Sequence, residues 1–164
     1  MSPLILYLAH LAVLAYALVG GVFLAFSDFI MRSLAQTDGV DTMQAINREV
    51  FHWAFMVLFL GLAPVSLLIA AYGAIGVGHG PGTVMVLAGL IYFVGCFGVT
   101  VAFNVPMNEA LAGMDASEKT TVDYWTRTYL PRWTFWNTVR TVACGLSAAL
   151  LLFSLVWAAQ SQGL

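Results

Sequence analysis

The sequence predicts an all-α integral membrane protein, a four-helix bundle with helical extensions on one face. Three observations predict it. Of 164 residues, 61% are hydrophobic and 9% charged, and mean hydropathy is +0.89, far from the roughly 25% charge of a water-soluble domain. Four stretches can cross a ~30 Å hydrocarbon layer as helices: 3–27, 53–77, 83–103 and 134–159, the last apolar throughout once past Arg140. All six cations, Arg32, Arg48, Lys119, Arg127, Arg132 and Arg140, fall in the two connections on one side. The chain reads as a single domain over 1–164.

The first span lacks the cationic start of a secretory signal and continues apolar past Ala15-Tyr16-Ala17, so it reads as a retained helix. Asp28 and Arg32, an i,i+4 pair, carry that helix into the headgroups. Thr37–Asp41 reads as a turn. Met43–Glu49 contains no helix breaker and runs straight into the second span. The glycine-rich Gly78-His79-Gly80-Pro81-Gly82 turns the chain on the opposite side. The third span, Thr83–Phe103, then meets Asn104-Val105-Pro106-Met107-Asn108-Glu109. There two carboxamides share a helix face, and Pro106, without an N–H, predicts a kink. Ala112–Lys119 reads as a polar loop and Thr121–Tyr129 as a short interfacial helix, with Pro131 in the first turn of the fourth span. Four crossings put both termini on one side, and the cation bias places them outside and the charged loops in the cytoplasm.

Composition also limits function. No basic run suggests nucleic acid as a partner. Cys96 and Cys144 sit in apolar runs and read as small buried hydrophobes. No span carries a carboxylate or lysine near its centre, which disfavours a proton-coupled carrier. Glu49-Val50-Phe51-His52 is a Glu-x-x-His, the spacing of carboxylate-bridged metal bundles, but it occurs once where such bundles use two. Glu49, His52 and Glu109 are therefore weak metal candidates. His10, His52 and His79 fall at different depths, a poor arrangement for haem; His10 reads as a hydrogen-bonded packing residue.

The polar residues gather at the cation-bearing end: Asp28, Asn47, Glu49 and His52, then Asn104, Asn108 and Glu109, then Trp133, Asn137 and Arg140. The last three, at i, i+4 and i+7, lie within about 60° on a helical wheel, with Trp136 bordering them. Charges and tryptophans anchor helices at a membrane edge without any chemistry. Asparagine is a poor anchor and a weak helix former, so Asn104, Asn108 and Asn137 require partners: a shared polar pocket or interhelical hydrogen bonds.

The stretches Gly21–Phe29, Met43–Arg48, Gly98–Asn108 and Trp133–Thr141 resemble the anthrone oxygenase-like family of small four-helix membrane proteins, in order along nearly the whole chain. Two positions depart from the family pattern: Thr138 stands where Trp-Asn-His-Val-Arg usually has histidine, and His52 stands where it usually has none. The resemblance implies oxidation of anthrones by dioxygen, at a pocket reached from the lipid, with no cofactor identified. On that reading His52 or Glu49 takes a proton, Asn104, Asn108, Asn137 and Arg140 hold the developing oxyanion, and Trp133, Trp136, Asp28 and Asn47 bind substrate. The expected partners are the bilayer, a hydrophobic aromatic or quinone-like ligand, and further copies or a larger membrane complex. The alternatives are a non-enzymatic lipid- or quinone-binding accessory subunit and a metal- or haem-binding redox protein.

Overall fold

The structure, a computed structural model, describes residues 2–52, 54–78 and 80–161. Trp53, the predicted start of the second span, and His79 of the predicted turn lie outside the described residues.

Four helices are long and apolar enough to cross a membrane. We number the helices α1 (Pro3–Leu34), α2 (Gly39–Glu49), α3 (Ala54–Gly76), α4 (Pro81–Ala112) and α5 (Lys119–Ser161). Pro3 and Pro81 occupy first turns, where no N–H is missed. Gly78 and Gly80, at φ 55° and 88°, make the α3–α4 turn in a region that side chains avoid. Loop 113–118 is closed by Asp115. It accepts from the Ser117 N–H at 2.9 Å and hydroxyl at 2.8 Å, which hold its carboxyl below the usual range.

Helices α1 and α4 have 32 residues each and α5 has 43, about 48 and 64 Å at ~1.5 Å per residue. They outrun a ~30 Å hydrocarbon layer and must project beyond it. The projecting ends pack with α2 around a second core of Met31, Leu34, Met43, Leu111, Trp125 and Tyr129. Gln44 ties α2 down by donating to the Leu111 and Met114 carbonyls at 2.8 and 2.9 Å. The first core, built on Tyr16, Phe59, Ile69, Met85, Tyr92 and Leu151, fills the span region. Its tyrosine hydroxyls are paired, as lipid demands: Tyr16 with Ser66 at 2.6 Å, and Tyr92 donating to the Phe59 carbonyl at 2.9 Å. The buried Ser147 hydroxyl of α5 has no partner among the described residues. Cys96 and Cys144 are buried and unbridged, with sulfurs 3.4 Å apart. The termini share the end of the α3–α4 turn: the Ser2 N–H donates to Tyr72, and Ser154 to the Pro81 carbonyl.

Several local expectations are corrected. No separate interfacial helix precedes the fourth span; Thr121–Tyr129 belongs to the unbroken α5. At Pro106, where the sequence predicts a kink, α4 continues but leaves regular α-helical spacing just before the proline. In both places one residue separates the proline from a widened π-helical turn, Thr100–Asn104 or Trp125–Tyr129. That residue makes the i to i+5 bond of the turn, Val105 to the Thr100 carbonyl or Leu130 to the Trp125 carbonyl. Helix α2 does not run directly into α3, because Val50–His52 tighten into a 3₁₀ turn between them. His10 bonds the Leu6 carbonyl at 2.7 Å but faces outward.

Helices α3 and α4 touch through backbone. A Cβ at Gly89 would overlap the Ser66 carbonyl oxygen and press on Ala70, whereas one at Gly145 would meet nothing within 4 Å. Gly89→Leu is expected to lower stability by about 1–3 kcal/mol or more through forced separation of the helices, and Gly145→Leu to change little. Thermal unfolding in detergent compares the two; equal melting would refute the close approach.

Candidate functional site

Where the lipid-spanning core meets the projecting core, all five helices surround a cavity of about 220 Å³. Aromatic side chains wall it: Phe23 and Phe26 from α1, Phe55 and Phe59 from α3, Phe97 from α4 and Trp133 from α5. Helix α2 closes the projecting side with Met43, Ile46, Asn47 and Val50, which at i, i+3, i+4 and i+7 form one face. Phe51, Leu60 and Val101 line the rim and are 67%, 50% and 55% exposed, so the cavity borders the surface that lipid covers. Its polar contributions come from Asn47, Thr100, Asn108 and Arg140.

Arg140 is the charged residue of the lining, and only 5% exposed. Its guanidinium donates to Asn137 Oδ1 at 2.7 Å and to Thr100 Oγ1 at 3.2 Å. The guanidinium carbon lies 4.1 Å from the centre of the Phe23 ring and 5.2 Å from that of Trp133, cation–π contacts of about 0.5–2 kcal/mol each. Its Nε has no partner. Among the described residues the one ion pair is Arg32–Asp28 at 3.1 Å, on the exposed surface. Arg140 therefore holds a buried positive charge with no carboxylate beside it, an arrangement that costs several kcal/mol unless something compensates.

Asn137, fully buried, lies one turn before Arg140 and fixes it. Its Nδ2 donates to the Phe23 carbonyl at 2.6 Å and to Ser27 Oγ at 2.7 Å, which leaves Oδ1 turned to the guanidinium. Thr138 Oγ1 stands 3.0 Å from the same Ser27 hydroxyl. Asn104 and Asn108, a turn apart on α4, clamp Trp133 at both ends. Asn104 Nδ2 donates to the Trp133 carbonyl at 3.3 Å, and Asn108 Oδ1 accepts from Trp133 Nε1 at 2.8 Å and from the Tyr129 hydroxyl at 2.7 Å. Asn104 Oδ1 and Asn47 Nδ2 are buried without partners.

Asn47, Asn108, Trp133 and Arg140 thus line one cavity, while Asn104 and Asn137 stand behind the lining and hold Trp133 and Arg140. The other predicted site residues lie elsewhere. Glu49, His52 and Glu109 are exposed and outside the lining, and Asp28 is exposed and paired with Arg32. Trp136 stacks on Phe103 at 3.7 Å rather than on the cavity. The cause is the face each helix turns inward: α2 buries its apolar stripe, so Arg48 and Glu49 point to water. Among the described residues no three of His, Cys, Asp and Glu come close enough to hold a metal. Phe23, Ser27, Thr100 and Tyr129 were not singled out in the sequence. Thr100 was accessible to it, since Thr100, Asn104 and Asn108 form an i, i+4, i+8 stripe.

Comparison with known proteins yields one match. The profile described as anthrone oxygenase covers residues 47–150, more than half of the chain; no curated protein matches, nor does any solved structure. The matched stretch contains Asn47, Thr100, Asn104, Asn108, Trp133, Asn137 and Arg140. This four-span membrane protein belongs to the anthrone oxygenase family.

Proposed function

We propose that the protein is a membrane-embedded oxygenase that takes a flat, lipid-soluble aromatic substrate of the anthrone type into the cavity from the bilayer and oxidises it with dioxygen. The observation that carries this reading is the cavity's composition: seven aromatic side chains around a buried guanidinium with no carboxylate partner, in a chain of this family. An anthrone has a methylene activated by two aryl rings and a ketone, and losing one proton gives an electron-rich oxyanion that dioxygen can attack at carbon. The hydroperoxide formed loses water. One oxygen atom becomes the new carbonyl, the other leaves as water with the two methylene hydrogens, and an anthraquinone results.

The chain's own residues would act on charge and position. Phe55, Phe59 and Trp133 hold the ring system, Asn104 and Asn108 hold Trp133, and Arg140, set by Asn137 and Thr100, stabilises the oxyanion. No carboxylate or imidazole lines the cavity, so acceleration comes from anion stabilisation rather than from a side-chain base. His52→Ala and Glu49→Gln are accordingly expected to leave turnover within about twofold of the parent, well short of the ~10²–10⁴-fold a general base supplies; loss by that larger factor would restore them to the site. The founding experiment is dioxygen uptake by the purified protein in lipid nanodiscs supplied with anthrone, with anthraquinone read by absorbance. Uptake no faster than with empty nanodiscs would refute the function.

A further inference from the structure

We propose that the cavity selects ligands that bind as oxyanions: the deprotonated hydroxyl of a hydroxylated polycyclic aromatic supplies the negative charge that Arg140 lacks. The proposal rests on reading the cavity as a substrate site and specifies what that site accepts. Two observations meet here. Arg140 is nine-tenths buried, lines the cavity, and engages two protein acceptors although a guanidinium carries five N–H donors. Asn47, from a different helix, also lines the cavity and has its buried Nδ2 unpaired. Within the lining the unpaired polar atoms, Arg140 Nε and Asn47 Nδ2, are donors, the unpaired Asn104 Oδ1 lying behind it. They describe a site for an acceptor-only group, and the aromatic walls require that group to sit on a flat ring.

No neighbouring group competes for the charge. From α1, Asp28 is exposed and committed to Arg32; from α2, Arg48 and Glu49 are exposed. From α3, Tyr72 lies at the far end with Ser2. From α4, Glu109 is exposed and Tyr92 is bonded to the Phe59 carbonyl, while the Cys96 thiol faces Cys144 of α5. From α5, Tyr129 is bonded to Asn108, and Asp123, Arg127 and Arg132 are exposed.

The test uses 2-naphthol, whose neutral and ionised forms absorb differently, with 2-methoxynaphthalene as the same ring without the acidic proton. The full chain is placed in nanodiscs of uncharged phosphatidylcholine and the probe's absorbance is followed with pH. In the parent protein the bound hydroxyl is expected to ionise about one pH unit lower than in empty nanodiscs, and the ether to bind about tenfold more weakly at the pH where the bound naphthol is ionised. Thr100→Asp puts a carboxylate beside the guanidinium and is expected to abolish the shift while the protein still unfolds cooperatively; Arg140→Gln is expected to abolish it too. An unshifted titration, with naphthol and ether bound equally, overturns the proposal without reference to any variant. If anthrone-driven dioxygen uptake persists in that case, the oxyanion selectivity alone has failed. A shifted titration without uptake sustains the oxyanion site and removes the oxygenase function.

Discussion

Arg140→Gln is expected to lower kcat/KM for anthrone oxidation by about 10²–10³-fold, the scale on which removing one charge-stabilising donor acts. The side chain is the charged residue of the cavity lining, and glutamine keeps a polar amide near the Nε position while losing the charge and the two terminal nitrogens. Arg140→Lys tests the geometry: an ammonium retains the charge but cannot at once follow the planar fork set by Asn137 Oδ1 and Thr100 Oγ1, so intermediate activity is expected. Steady-state dioxygen uptake at several anthrone concentrations measures both. Parent-like rates in the glutamine variant would remove Arg140 from the reaction.

Asn137→Ala is expected to be the more damaging change to the fold. It deletes the 2.7 Å acceptor of a buried guanidinium and the donor that meets the Phe23 carbonyl and Ser27 hydroxyl. A hydrogen bond to a charged group is worth about 1.5–3 kcal/mol, and the groups left stranded inside add to the loss. The double variant Arg140→Met, Asn137→Leu removes charge and partner together, so it should recover much of the lost stability while staying inactive. Thermal unfolding with parallel activity assays separates the two effects. A double variant no more stable than Asn137→Ala would mean that packing, rather than the stranded charge, sets the loss.

Hydropathy alone found the four long helices, because lipid demands a minimum run of apolar residues whatever their partners; 53–77 was expected where α3 runs Ala54–Gly76, whereas 3–27, 83–103 and 134–159 are parts of longer helices. That Asn104, Asn108 and Asn137 bond to neighbouring helices was legible for a related reason, since a carboxamide at the membrane edge needs a partner. Residue chemistry was a poorer guide to orientation. Glu49 and His52 drew notice as acid–base groups, yet Met43, Ile46, Asn47 and Val50 already marked the inward face of α2 and consigned Glu49 to the other side. The continuity of α5 through Pro131 was not legible, because a widened turn is chosen by the packing on either side of it and leaves no compositional trace.

Those widened turns recur in α1 at Phe26–Ile30, in α4 at Phe93–Gly98 and Thr100–Asn104, and in α5 at Trp125–Tyr129, clustered along the cavity's end of the bundle. Each stores a spare residue relative to an ordinary helix. Excising the spare residue would let the backbone relax into α-helical spacing with the side chains on either side keeping their faces. A deletion in the regular turns between the widened turn of α5 and Arg140 has no such slack: it would swivel Arg140 by about 100°, away from the cavity and from Asn137 and Thr100.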